Sequence, residues 1–305
     1  MQRVVSLLPA TTEIVCALGM GDHLVGRSHE CDYPEQVSQL PICSEPKYPF
    51  QGTSYEIDQR VKAVLAEGLS IYRVHTETLK SLNPDLILTQ DQCEVCAVSL
   101  NEVEQCLANL GMEASILSFS PETLEDILAD IQTIADKLHV PKQGNQLQRA
   151  ITQGFEDIKA KTSQRPQVHI EVIEWINPLM TAGNWMPDLI EIAGGCSTLG
   201  ESGKHSPFID FEVLKDANPE IIAIIPCGYS IDQTKTELDH LFSLSGWNEL
   251  KAVQNNQVFL ADGHQYFNRP GPRIADSARI LAEIIHPDSF PQSHKKTGWI
   301  ALDVF

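Results

Sequence analysis

Positive charge is scarce in this sequence: 22 lysines and arginines face 41 aspartates and glutamates, a formal net charge of −19 over 305 residues. A surface of that sign repels polyphosphate, which excludes DNA and RNA as partners. Long apolar runs are absent too. No stretch approaches the roughly 18 consecutive apolar residues of a membrane-spanning helix, so no membrane span is expected. Eight cysteines are too few for a disulfide scaffold in a chain of this length. The N-terminal apolar run, Val4 to Leu8, is strand-length and closed by Pro9, too short for the core of an export signal. A cytoplasmic address with reduced thiols is the expectation, or a periplasmic one if the true start lies upstream. No G-x-S-x-G elbow, P-loop, post-strand G-x-G-x-x-G or H-E-x-x-H is found, so the best-specified reaction classes lack their parts. No catalytic residue is nominated and no catalytic cofactor is expected.

What is present is a chain of 42% apolar and 21% charged residues with 18 glycines and 18 prolines, the composition of a folded protein. Its length predicts two domains. Strand and helix patterns alternate through both halves. Apolar runs at 4–8, 24–28, 85–89, 168–174, 220–225 and 257–261 read as strands. Periodic stretches after Pro9, Ser99 and Ser120, and at 187–193, 237–244 and 274–285, read as helices. Residues 30–60 show no sustained period and read as one long loop. Residues 141–164 carry only Leu147, Ile151, Phe155 and Ile158 at helical spacing, the thin apolar stripe of a strut between domains. The prediction is an α/β fold of two similar lobes with mainly parallel sheets: an N-terminal lobe over 1–140, a rigid linking helix over 141–164 and a C-terminal lobe over 165–286. An irregular tail over 287–305 follows, and a monomer is expected.

The two-lobe reading rests on an internal repeat. Residues 77–89 (ETLKSLNPDLILT) and 212–224 (EVLKDANPEIIAI) align without a gap, sharing Glu, Leu, Lys, Asn, Pro and Ile. Each reads as a short helix, an Asn-Pro stop and a strand. In open α/β sheets ligands bind beyond the carboxyl ends of strands, which nominates residues 6–12, 90–96, 174–177, 227–229 and 262–267, and a cleft between the lobes. Rings and amides are frequent in these loops and suit a large, partly flat ligand.

Four motifs together carry a resemblance: RVVSLLPATTEI at 3–14, LNPDLIL at 82–88, IEIAGG at 190–195 and RPGPR at 269–273. In this order and over both halves they resemble the substrate-binding proteins of ABC transporters for cobalamin, iron-siderophores and haem. EWINP at 174–178 and GNWMPD at 183–188 are most similar to the cobalamin-binding branch. The resemblance implies two lobes joined by one helix, with a corrinoid or related metal chelate as ligand. Trp175, Trp185, Tyr229 and Tyr266 would then stack or make edge contacts. Thr11, Thr12, Gln90, Gln92 and His264 would make polar contacts, and Arg269 and Arg273 would meet anionic groups at the rim. It also implies docking on an ABC permease through one surface glutamate per lobe, a pattern that Glu77 and Glu212 match.

The thiols leave alternatives open. Cys93 and Cys96 form a C-x-x-C pair at a strand end, and His29 or Cys31 could complete a tetrahedral site for a soft metal ion. The same spacing suits a redox pair, or the thiols are structural. A thiol-dependent enzyme built on Cys93, His29 and Asp91 is the remaining alternative.

Overall fold

A computed structural model describes residues 2–48, 51–67, 70–91 and 98–302. The chain divides into two compact units, Met1–Gly52, Glu56–Pro121 and Glu125–Arg149 in the first, and Thr53–Tyr55, Glu122–Leu124 and Ala150–Phe305 in the second.

The first unit is built on strands β1 (Val4–Ser6), β2 (Leu24–Arg27), β5 (Leu86–Gln90) and β6 (Ser115–Phe119), which form one parallel sheet in the order β2-β1-β5-β6. β3 (Ser44–Pro46) and β4 (Tyr72–Val74) make a separate antiparallel pair. Helices α1 (Pro9–Ala17), α2 (Ser54–Ala66), α3 (Thr76–Leu82), α4 (Leu100–Leu110) and α5 (Leu124–Lys137) connect or cover the strands. The 22-residue α6 (Pro141–Thr162) carries the chain from the first unit into the second. Its Ile151, Phe155 and Ile158 are buried and Leu147 is half-buried, the four positions of the thin stripe.

The second unit has a sheet ordered β12-β11-β10-β7-β8, with β9 pairing the start of β7. Its strands are β7 (Val168–Trp175), β8 (Met180–Thr181), β9 (Gly195–Cys196), β10 (Ile221–Ile224), β11 (Val258–Ala261) and β12 (Trp299–Ala301). β7, β10 and β11 run parallel, while β8 and β12 are antiparallel edges. The helices are α7 (Met186–Ile192), α8 (Phe211–Ala217), α9 (Ile231–Lys235), α10 (Leu238–Phe242), α11 (Lys251–Gln254) and α12 (Ile274–Ile285).

The repeat is structural. α3 ends on Asn83 at φ 41° and α8 on Asn218 at φ 42°, both left-handed, and each Asn N–H returns to the carbonyl of a buried leucine, Leu79 or Leu214, at 3.0 Å. Asn tolerates this conformation better than other non-glycine residues, and the following Pro cannot continue a helix. Each unit then enters the first strand beyond its switch point, β5 beside β1 and β10 beside β7.

Two expectations are corrected. Residues 30–60 are not one loop: they include β3 and the start of α2. The α2 period (Ile57, Val61, Val64, Leu65) begins where that window closes, so its apolar face lies mostly outside it. The tail from 287 is not irregular throughout either, because β12 extends the sheet along β11 and Trp299 is only 2% exposed.

Candidate functional site

In the second unit the chain goes from β7 to one side through β8 and β9, then to the other through β10 and β11. The point where that direction reverses, between β7 and β10, is where open α/β sheets leave a crevice at the strand ends. Trp175 ends β7 there, half-buried, with its ring 5.4 Å from that of Tyr229 at an interplanar angle of 68°. Tyr229 follows β10. Its hydroxyl donates to Glu237 Oε1 at 2.9 Å, and burial pushes that phenol well above its ordinary range. The two rings meet edge to face, with Tyr229 buried, its hydroxyl satisfied by Glu237, and Trp175 the more exposed of the pair.

Beyond β11 the chain makes a single π-helical turn, Gly263–Phe267, capped by Asp262, whose Oδ1 accepts from Gln265 N at 2.7 Å. π turns are rare and concentrate at functional sites. This one lies against the Tyr229 loop: His264 N donates to Tyr229 O at 3.0 Å and Gly228 N to Asn268 Oδ1 at 3.4 Å. Position 263 requires glycine, since a Cβ would stand 2.2 Å from the Pro226 carbonyl oxygen. The half-buried His264 receives a bond from Arg269 Nη2 on its Nε2 at 3.1 Å. That nitrogen is therefore directed at the guanidinium, which fixes the tautomer with the proton on Nδ1. Arg273 donates to Gln265 Oε1 at 3.2 Å and lies 5.3 Å from the centre of the Tyr266 ring.

Two residues sit deeper than expected. Arg269 is 4% exposed, so it belongs to the interior of the turn and not to a rim. Trp185 is buried, and its indole N–H donates to Phe267 O at 3.3 Å, which supports the π turn from behind. Glu174 lies inside the nominated segment 174–177 but carries no role of its own in the sequence reading. It is buried directly before Trp175, it accepts from Ser206 Oγ, and its carboxyl is pushed up to about 7 by burial against the opposing pull of Ser206 and His205. Ser206 Oγ also receives Gly183 N at 3.0 Å, and Glu174 O receives Cys227 N at 3.0 Å. The available signal was a pair of acidic residues, Glu171 and Glu174, set among apolar ones in a buried strand, which carries a charge only with a partner.

In the first unit the reversal lies between β1 and β5. Thr11 and Thr12 begin α1 beside it, but both are buried. Thr11 Oγ1 lies 2.7 Å from Ser6 Oγ, and Thr12 Oγ1 lies 2.8 Å from Ser6 Oγ and 3.0 Å from Cys31 Sγ, with one proton to share among them. Their hydroxyls shape the β1–α1 turn from inside. Cys31 closes the same network, and burial raises its thiol pKa, so it stays protonated. His29 is half-buried, 3.4 Å from Ser44 Oγ and against the Tyr72 ring, and desolvation lowers its pKa. Gln90 is buried at the end of β5. Gln92, Cys93 and Cys96 lie outside the described residues. Among the described residues no group of three or more His, Cys, Asp or Glu side chains could hold a metal ion.

Glu77 and Glu212 occupy the second positions of α3 and α8, and both are exposed. Glu212 pairs with Lys215 at 3.0 Å.

Two switch points with strand-end loops and a repeated helix–Asn-Pro–strand unit suit a bilobal binding protein, and the profile of the periplasmic binding protein family matches residues 4–264. The chain belongs to that family. It is 24% identical over 298 residues to YvrC of Bacillus subtilis, an uncharacterized ABC transporter substrate-binding lipoprotein, covering 95% of this chain and 82% of that one. It is 25% identical over 287 residues to the vitamin B12-binding protein of Vibrio parahaemolyticus, covering 92% and 88%. Among solved structures, the periplasmic haem-binding protein RhuT of Roseiflexus sp. RS-1 in its apo form matches with a TM-score of 0.68 at 22% identity, covering 95% and 99%. That likeness shows the fold. Among the described residues no helix is long and apolar enough to cross a membrane.

Proposed function

We propose that this protein is the solute-binding component of an ABC importer and carries a corrinoid or a related planar metal chelate, with cobalamin the first ligand to test. The observation that carries the reading is the Trp175–Tyr229 wall at the β7/β10 switch point. A broad macrocycle gains most from ring surface that is rigid and already paired at its polar end. The π turn brings His264 to the Tyr229 loop, its N–H donating to Tyr229 O, with Arg269 orienting the imidazole, and carries Tyr266 two residues on. Because His264 Nε2 faces Arg269, the imidazole serves as a polar contact to ligand side groups and not as a preformed axial ligand. Relatives named as a substrate-binding lipoprotein and as a vitamin B12-binding protein support binding and release as its work.

Relatives named as a lipoprotein and as a B12-binding protein favour a place outside the cytoplasmic membrane over the cytoplasmic expectation. Glu77 and Glu212, equivalent in the repeat and both exposed, are the proposed contacts to the permease.

The test is a titration of purified protein with cyanocobalamin and, separately, hemin, following the visible spectrum and thermal unfolding. Binding at a hundredfold excess over Kd adds about 2.7 kcal/mol of stability. A cyanocobalamin-dependent rise in Tm supports the corrinoid reading; a rise with hemin alone moves the ligand to the haem class. No response to either at millimolar concentration rejects both.

A further inference from the structure

Besides the β12–β11 pairing, the tail beyond α12 is tied to that helix through one carboxylate. Glu283 is fully buried on α12. Its Oε1 accepts from Ser293 N at 3.2 Å, Ser293 Oγ at 2.7 Å and His294 Nδ1 at 3.0 Å, and its Oε2 accepts from His294 N at 3.1 Å and the Trp299 indole at 2.9 Å. A carboxylate removed from water needs such compensation; all five of these hydrogen-bond donors come from residues 293–299, and Arg279 Nε of the same helix adds an ion pair at 3.6 Å from Oε1. The captured segment then touches the π turn in two places. The His294 ring meets the Tyr266 ring edge-on, with centroids 6.0 Å apart at 83°, and Gly298 O accepts from Asp262 N, the residue that caps the turn, at 2.9 Å. Arg273 lies over the same Tyr266 ring.

We infer that residues 289–302 are a brace for the π turn, and that His294 is a positioning residue that sets Tyr266 for ligand contact while Glu283 sets His294. The inference rests on the ligand reading above only for its consequence in binding; the bracing itself is a property of the ligand-free protein. A tail that merely stabilised the sheet edge would act through β12 and Trp299. Contact with Tyr266 and with the cap of the turn gives it a second, local effect.

His294→Ala and His294→Asn separate the two roles, because asparagine keeps a donor for Glu283 and removes the ring from Tyr266. Amide hydrogen exchange of the full-length variants, without ligand, is the first measurement. Both variants should exchange at 263–268 at least tenfold faster than the wild type, with β7 and β10 unchanged, and His294→Asn should keep a near-native Tm. Affinity for cyanocobalamin or hemin, whichever the wild type binds, should fall about tenfold in both. Wild-type exchange at 263–268 in His294→Asn overturns the brace. So does a loosened turn with unaltered affinity, since the turn would then not be set for ligand. If the wild type binds neither chelate, accelerated exchange still supports the brace and only the ligand reading falls.

Discussion

The residue that most separates this site from an ordinary aromatic surface is Glu174. A carboxyl pushed up to about 7 by burial binds its proton more tightly in the folded chain than in the unfolded one, where it titrates near the ordinary 4.5. Between those values the folded state holds more protons, so stability falls as pH rises. The contribution is fully present below the unfolded pKa, is lost as pH climbs through about 7, and changes no further above it. The expected size is a few kcal/mol. Chemical denaturation between pH 4.5 and 8 should show this decline; Glu174→Gln should make it shallower and leave the part due to Asp130, which burial and Asp126 also push up to about 7, and an unchanged slope in the variant would place the titrating group elsewhere. In the proposed site the neighbouring Trp175 serves binding more than folding. Trp175→Ala should weaken chelate affinity by about 2 kcal/mol, roughly thirtyfold, and move Tm little, because the ring is half-buried at a strand end. Isothermal titration of both proteins with the same chelate checks this, and equal affinities would remove the wall from the site.

At the scale of elements, the repeated Asn-Pro stops make a quantitative comparison available. Both asparagines are left-handed, so alanine at either costs about 1 kcal/mol of backbone strain. Asn218 also accepts Lys251 N on its side chain at 2.8 Å, a bond worth about another 1 kcal/mol. Asn218→Ala should therefore destabilise more than Asn83→Ala, and glycine should recover the strain at both positions but not the lost bond. Urea midpoints of the four variants decide it; equal losses for both alanines would deny Asn218 its capping role. The same elements explain what was legible beforehand. Buried parallel strands such as Leu86–Gln90 and Ile221–Ile224 read as apolar runs because both faces are covered, and the Asn-Pro stops are local chemistry. β3 (Ser-Glu-Pro) and β12 exist only through their partners β4 and β11, so nothing local announces them. In the candidate site, the positions of Trp175 and Tyr229 at strand ends were legible, whereas the burial of Arg269, Thr12 and Glu174 depends on packing that spacing does not encode.

For the whole molecule, the acidic balance of −19 and the repeat combine in the docking proposal. An exposed glutamate paired with a partner's arginine contributes about 0 to 1 kcal/mol alone, too little for either Glu77 or Glu212 to hold a permease. Two such contacts on one chain act differently, because the first raises the effective concentration of the second. Glu77→Lys and Glu212→Lys should each weaken binding to the cognate permease in nanodiscs severalfold, by losing an attraction and adding a repulsion. The double variant should lose about the product of the two effects, with most of the change at low ionic strength. Glu212 is already engaged by Lys215, so a partner cation must displace that ammonium, and Lys215→Gln should strengthen docking where Glu212→Lys weakens it. Opposite signs from those two substitutions, read by surface-captured binding at two salt concentrations, are what contact through Glu212 requires; matching signs, or a double variant no weaker than either single one, would place the permease contact on another face of the protein.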